Sequence, residues 1–196
     1  QLPVRIAAEG MPGEPAHVYV MPSDAFLTIE DGRLHAAPPP ASRIERKPID
    51  VFLAALAADQ GDRAVGVILS GRNGDGTLGM KAIKEHCGLT LAQTAGETDL
   101  RSPDMPEAAI ATGLVDFALP AEQMGAKILE LARGIELLGN LEDDASPDAR
   151  RGMLDHARAA IFSVLKSQTG HDFSAYKEKT LMRRIRRRMQ ITACHD

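Results

Sequence analysis

The sequence predicts an α/β protein: a doubly wound, mostly parallel sheet with a β-hairpin, followed by a small all-α helical segment. From Ala64 onward, short apolar runs alternate with helical patterns, as they do in parallel sheets connected by helices. Before that region, the pair Asp31-Gly32 separates two strand-like runs, which is typical of a hairpin. Beyond Asp144, only helical patterns follow.

The opening segment of the chain is predicted to be irregular. A proline-marked opening leads to a short strand in HVYVMP and then to the hairpin FLTIEDGRLHAAP. The loop APPPAS cannot continue a strand or a helix. A helix is expected to begin at Pro48, since proline suits the first helical turn, and to stop at Gly61.

Strands and helices then alternate to the end of the sheet region. The predicted strands are AVGVILS, LTLAQ and LVDFALP, and the helices are TLGMKAIKEH closed by Gly88, MPEAAIATG ending at Gly113, and AEQMGAKILELARG. Open α/β sheets hold ligands and catalytic residues in loops at the carboxyl ends of their strands. The loops Ser70–Gly76 and Thr94–Asp104 are therefore the expected site.

An acidic stretch divides the chain. We predict a first domain over 1–138, an acidic linker over 139–151 and a helical domain over 152–196. In the last of these, Met153–Lys166 reads as a helix ended by Gly170, and Lys177–Gln190 as a second helix. That second helix holds seven basic residues and one acid, while the whole chain sums to −4.

Composition excludes several classes of protein. With 44% hydrophobic and 26% charged residues, the chain is typical of soluble globular proteins, and we expect it in the cytoplasm. No apolar run reaches the ~18 residues of a membrane span, so no membrane insertion is predicted. The two cysteines lack metal-ligand spacing, and no metal site is predicted. Because the sequence opens on Gln1, we expect a fragment of a longer polypeptide.

The stretch GRNGDGTLG contains G-x-G-x-x-G, formed by Gly74, Gly76 and Gly79. As a dinucleotide loop it would cradle a pyrophosphate, with Glu97 or Asp99 on the ribose. Asp75 argues against this, because its carboxylate would repel the phosphates.

Two other interpretations use the same glycines. Gly71, Gly74 and Gly76 allow turns of positive φ, and Asn73-Gly74 favours one. Such a loop would present Asp75 at a strand's carboxyl end and a helix N-terminus, where a negative charge is favoured. A fixed carboxylate there orients the histidine of a Ser-His-Asp hydrolase. Alternatively, Asp75 only caps the helix that starts at Thr77. The residues alone leave all three interpretations open.

Longer motifs add a resemblance. GVILSG…GDGTLGMKAIKEHCGLTLAQ, together with MPEAAIATGLVDFALP, resembles the C-terminal part of the chemotaxis receptor methylesterase family (CheB type). LKSQTGHDFSAYKEKTLMRRIRRRM resembles the N-terminal helical domain of the receptor methyltransferases (CheR type). The order of the two parts is similar to that of a methylesterase–methyltransferase fusion.

The esterase resemblance implies hydrolysis of glutamate methyl esters on the cytoplasmic helices of methyl-accepting chemoreceptors. It places the triad aspartate at Asp75 and the serine and histidine before Gln1, so this stretch alone is expected to be inactive and to expose apolar surface. It also implies that Met105 shapes the substrate wall, although a simple helix start at Pro106 explains MP equally well. Arg72 stands where the family usually has a small residue or methionine, near the developing oxyanion. It would stabilise that charge or crowd the pocket.

The methyltransferase resemblance gives the basic helix a role. It implies that Arg184 lies on the cofactor side and that Arg187 and Arg188 face substrate, although a solvated helix face is the alternative. The cofactor would be S-adenosylmethionine, whose binding domain is absent from this sequence, and the esterase needs none. Few aromatic residues accompany the arginines, so a nucleic-acid partner is not predicted. A receiver domain or kinase modules are possible partners in the full-length protein. A non-catalytic module that docks on receptor helices is the competing class.

Overall fold

A computed structural model describes residues 2–39, 47–96, 101–143 and 159–171, and in the basic helix 180–181, 184–185 and 187–188. The chain divides into two compact units, Gln1–Gly125 and Ala126–Asp196. Within the described ranges, no helix is long and apolar enough to cross a membrane. The predicted domain boundaries at 138 and 151 stay predictions.

Most of the described elements lie in the first unit. The strands are β1 (Val4–Ile6), β2 (Met11–Pro12), β3 (Val18–Val20), β4 (Phe26–Glu30), β5 (Arg33–Ala37), β6 (Val65–Ile68), β7 (Leu89–Gln93) and β8 (Phe117–Leu119). The helices are α1 (Pro48–Gln60), α2 (Thr77–Glu85), α3 (Asp104–Ala111), α4 (Ala121–Asp143) and α5 (159–169).

The strands form three small sheets. Strands β6, β7 and β8 are parallel in that order, with Val67 opposite Leu91 and Leu91 opposite Phe117. Strands β2, β5 and β4 are antiparallel, and β1 pairs in parallel with β3. The mostly parallel α/β class is confirmed. The prediction of an irregular opening is wrong, because this segment contains the strands β1 and β2. Both are short, and they pair only with strands that come later in the chain.

The residues at turns and helix ends act largely as the sequence predicts. The hairpin turns at Asp31 and Gly32, whose φ angles are +49° and +70°. Helix α1 begins at Pro48 and is followed by Gly61 at φ +58°. Helix α2 ends differently, because Cys87 rather than Gly88 takes the left-handed conformation, at φ +68°. The amides of Cys87 and Gly88 bond to the carbonyls of Lys84 and Ile83, which is a Schellman closure.

Two predictions for the second half of the chain need comment. One differs from the structure, and the other concerns a helix that the structure describes only in part. Helix α4 continues to Asp143, so the first residues of the predicted linker, 139–143, are helical. Helix α5 is described from residue 159, and Gly170 follows its end at φ +74°, as predicted.

The core of the first unit lies between the parallel sheet and the first two helices. Its fully buried side chains include Ile68, Met80 and Ile83. Glycines permit the close packing: a Cβ at Gly66 would lie 2.9 Å from Met80 Sδ. Large apolar side chains such as Leu2, Val4 and Ile6 are more than half exposed, which confirms the expected exposure of apolar surface.

Two helical glycines should respond in opposite ways to a methyl group. At Gly79 in α2, an added Cβ would lie 2.6 Å from Leu53 Cβ of α1, whereas at Gly125 in α4 it would meet nothing within 4 Å. We expect Gly79→Ala to lower the free energy of unfolding by about 1–2 kcal/mol, since overpacking exceeds the gain in helix propensity. Gly125→Ala should raise it by about 0.5–1 kcal/mol. Urea unfolding of both variants tests this, and a stabilised Gly79→Ala would contradict the close contact.

Candidate active site

The site is built on the loop that follows β6, at the carboxyl end of a parallel strand. Asn73 adopts φ +69° and Gly76 φ +94°, so the positive-φ prediction is confirmed at these two residues and wrong at Gly71 and Gly74. Gly76 is buried, and an added Cβ would clash with Ile68 and lie 2.9 Å from Ile49 Cγ2. The glycine therefore lets this loop fold tightly against the start of α1, which places Asp75 there.

The Asp75 carboxylate caps α1 rather than its own helix. Its Oδ2 accepts a hydrogen bond from the Ile49 amide at 3.2 Å, and its Oδ1 one from the Asp50 amide at 3.0 Å. Lys47, at the N-cap position of α1, makes no side-chain cap, and Pro48 has no amide to satisfy. Asp75 thus supplies the partners that the first turn of α1 otherwise lacks.

This geometry excludes one interpretation of Asp75, the cap of its own helix. The local cap is wrong, because Gly76 is the N-cap of α2 and makes no side-chain cap bond. The predicted placement at a strand's carboxyl end and a helix N-terminus holds, although the helix is α1. Each carboxylate oxygen has two acceptor positions, so both can still accept a further donor. Glu97 and Asp99, proposed for a nucleotide ribose, lie outside the described residues.

The loops after β6 and β7 are joined by hydrogen bonds. The Ser70 amide donates to Gln93 Oε1 at 2.8 Å, and the Gly71 amide donates to the Ser102 carbonyl at 2.8 Å. The Met105 amide donates in turn to the Gly71 carbonyl at 3.1 Å. The described parts of the two loops that the sequence predicts as the site are therefore joined at this edge of the sheet.

Met105 belongs to this surface. Its side chain lies so close to Gly71 that an added Cβ there would sit 2.6 Å from Met105 Cε. It also lines an apolar cleft of about 720 Å³ between α1, β6 and the hairpin, with Phe52 and Leu69 among the other walls. Arg72 is exposed on the same loop. The structure thus brings Met105 and Arg72 to the loop of Asp75, while their roles stay predictions.

The two histidines of the hairpin region bond to nearby residues of the same region. His17 Nδ1 bonds to the Pro15 carbonyl at 2.9 Å, and His35 Nδ1 bonds to Glu9 Oε1 at 2.8 Å. The bond from His35, followed by that from the Ala36 amide, holds the pKa of Glu9 below its ordinary value.

Three arginines of the predicted basic helix Lys177–Gln190 were assigned roles by the methyltransferase resemblance. Arg184 and Arg188 are exposed, whereas Arg187 is 9% exposed. Their assignment to the cofactor and substrate sides stays a prediction. Leu181, on the same helix, is also buried.

The sequence model of CheB methylesterases matches residues 1–128. The chain belongs to the CheB methylesterase family. A second match, to the all-α domain of CheR methyltransferases, covers residues 157–196. Both resemblances seen in the sequence are thereby confirmed, in the same order along the chain.

Individual relatives agree with this assignment. A Rhodobacter capsulatus protein, described as an uncharacterized 104.1 kDa protein in the hypE 3' region, is 34% identical over 91% of this chain and 20% of its own length. Protein-glutamate methylesterase/protein-glutamine glutaminase 3 of Paramagnetospirillum magneticum is 37% identical over 66% of this chain and 36% of its own length. The chain thus spans only about a third or less of these relatives.

A solved structure shows the same fold. The catalytic domain of the CheB methylesterase from Thermotoga maritima superposes with a TM-score of 0.56 at 27% identity. The match covers 65% of this chain and 68% of that domain. It supports the α/β class for the CheB region.

Sequence reasoning missed two polar residues that hold the loops. Gln93 was read only as the end of a strand, and Asp50 only as part of a helix. An acid in the first turn after Pro48 suggests a cap, but a pattern cannot reveal that its partner is in another helix.

Proposed function

We propose that this chain supplies the aspartate of a Ser-His-Asp triad that hydrolyses glutamate methyl esters on the cytoplasmic helices of methyl-accepting chemoreceptors. The observation that carries the proposal is the Asp75 carboxylate, fixed by two α1 amides at the carboxyl edge of a parallel sheet. Membership of the CheB family supports it. The serine and histidine are supplied by sequence outside these 196 residues.

Each group has a defined part in this proposal. Asp75 accepts the Nδ1 proton of the histidine and so orients the imidazole. The histidine takes the serine proton as the serine attacks the ester carbonyl, and then donates it to the departing methoxide, which leaves as methanol. Water hydrolyses the acyl-enzyme by the same route and leaves a free glutamate. Met105 forms part of the wall around the ester, and no cofactor is required.

The helical part has a separate proposed role. We assign it to the start of a methyltransferase that uses S-adenosylmethionine, bound by a domain outside this chain. The match to the CheR all-α domain supports this assignment. In this proposal Arg184, which is exposed, faces the cofactor, and Arg188, also exposed, faces acidic receptor helices. Arg187 fits a substrate-facing role less well, since it is buried.

One experiment tests the esterase. The whole protein that contains this chain is incubated with chemoreceptor carrying radiolabelled methyl esters, and the release of labelled methanol is followed. We expect methanol release that increases with enzyme concentration. The exposed Arg72 in the site loop favours one second candidate, a module that only docks on receptor helices. Receptor binding without methanol release would establish that candidate and overturn the esterase.

A further inference from the structure

Helices α1 and α2 cap each other through two aspartates. Asp75, just before α2, accepts from the first-turn amides Ile49 and Asp50 of α1. Asp50, in the first turn of α1, accepts in return: its Oδ1 takes the Gly79 amide of α2 at 2.8 Å. Each helix start is thus held by an acid from the other helix.

Close packing makes this exchange sensitive to small displacements. An added Cβ at Gly79 would lie 3.2 Å from the Asp50 Cα, so the first turns of α1 and α2 are nearly in contact. Asp75 precedes Gly79 by four residues, with Gly76 packed on Ile49 between them. A shift of α2 along α1 would therefore carry the Asp75 carboxylate away from its two amides.

The burial of the Asp50 carboxylate costs folding free energy, which a cap alone does not explain. Its side chain is nearly inaccessible, at 8% exposure, and its Oδ2 has no hydrogen-bond partner among the described residues. Lys47 Nζ lies 3.8 Å from that oxygen, within reach of an ion pair but too far for a hydrogen bond. A buried carboxylate whose second oxygen accepts no hydrogen bond is destabilising relative to one whose oxygens both accept them. The residue at this position is therefore better explained by the bond it makes than by net stability.

We propose that Asp50 is a positioning residue for Asp75. Its bond to the Gly79 amide fixes α2 against α1, and this register keeps the Asp75 carboxylate on the α1 amides in the orientation that the base histidine needs. The catalytic consequence rests on the proposed esterase function. The structural consequence does not, because it concerns only contacts within this chain.

Three substitutions of Asp50 separate geometry from charge. Asp50→Asn keeps an acceptor oxygen at the Oδ1 position and removes the charge. Asp50→Glu keeps the charge but moves the acceptor by one methylene, and Asp50→Ala removes both. The matched control is Asp59→Ala on the same helix, where Asp59 Oδ1 likewise accepts a glycine amide, that of Gly32 at 3.2 Å, at the other end of α1. Thermal melting of each variant shows which ones fold.

The first measurement is hydrogen–deuterium exchange by mass spectrometry on the whole protein. Peptides that contain Ile49 and Asp50 should exchange about tenfold faster in Asp50→Ala and Asp50→Glu, because the amides lose Asp75. The same peptides should exchange at the wild-type rate in Asp50→Asn and Asp59→Ala. Unchanged exchange in folded Asp50→Ala or Asp50→Glu would overturn the proposal.

The second measurement is methanol release. Asp50→Ala and Asp50→Glu should lower kcat by about 10²-fold with KM unchanged, since the orientation of the catalytic groups is lost but substrate contacts are kept. Asp50→Asn and Asp59→Ala should both keep the wild-type kcat. Equal kcat in Asp50→Glu and the wild type would overturn the catalytic part. A wild-type protein that releases no methanol would instead contradict the esterase itself, and the exchange experiment would still test the positioning of Asp75.

Discussion

Asp75→Asn is expected to lower kcat for methyl ester hydrolysis by about 10⁴-fold in the whole protein. The asparagine amide cannot satisfy two α1 amides and a histidine N–H together, because its NH2 group is a donor. The histidine then loses the partner that selects its tautomer. Helix α1 loses one cap bond, which costs about 1 kcal/mol, so the protein should remain folded. Labelled methanol release at saturating receptor measures kcat.

The control for this variant is Asp24→Asn, which changes an exposed aspartate between β3 and β4. It should retain wild-type kcat, while its loss of one negative charge matches that of Asp75→Asn. Methanol release from Asp75→Asn at the rate of Asp24→Asn would remove Asp75 from the triad.

Asp116→Ala is expected to cause the largest loss of stability among single changes to the described charged residues of the first unit. The side chain of Asp116 is 4% exposed and accepts from Lys84 Nζ at 3.0 Å, the Thr90 amide at 3.1 Å and Thr90 Oγ1 at 2.9 Å. Thr90 is fully buried in β7, so its amide would lose a partner where water has little access. Breaking a buried pair costs about 3–5 kcal/mol. Because Lys84 Nζ keeps the Leu114 carbonyl and is one-third exposed, we expect about 3 kcal/mol.

The control for this loss is Glu85→Ala, which removes the acid of an exposed ion pair on α2. Lys81 Nζ and Glu85 Oε1 lie 3.8 Å apart, and both side chains are more than half exposed. Such pairs contribute between about 0 and 1 kcal/mol, so the free energy of unfolding should barely change. Urea unfolding compares the two variants. An Asp116→Ala protein as stable as Glu85→Ala would show that the buried cluster contributes little.

The local parts of the fold were predictable because single residues determine them. Asp31-Gly32 specifies the hairpin turn, and Pro48 and Gly61 mark the ends of α1, since each residue suits a backbone conformation that few others adopt. Strands β1 and β2 were missed because their pairing partners, β3 and β5, come later in the chain. A strand of two or three residues has too little pattern of its own to be recognised.

The candidate site was likewise predictable only in part. Asp75 could be singled out because glycines flank it and because its motif resembles that of a family. Its actual partners, Ile49 and Asp50, lie more than twenty residues earlier and donate through backbone amides, which leave no mark on a sequence. The reciprocal role of Asp50 is a property of two packed helices, so only the structure shows it.

A crystal structure of the whole protein that contains this chain would show whether Asp75 belongs to a triad. We expect a histidine from outside these residues whose Nδ1 lies within about 3 Å of an Asp75 carboxyl oxygen, with a serine hydroxyl on its other nitrogen. An Asp75 carboxylate that contacts only the amides of Ile49 and Asp50, with no imidazole beside it, would remove Asp75 from the triad.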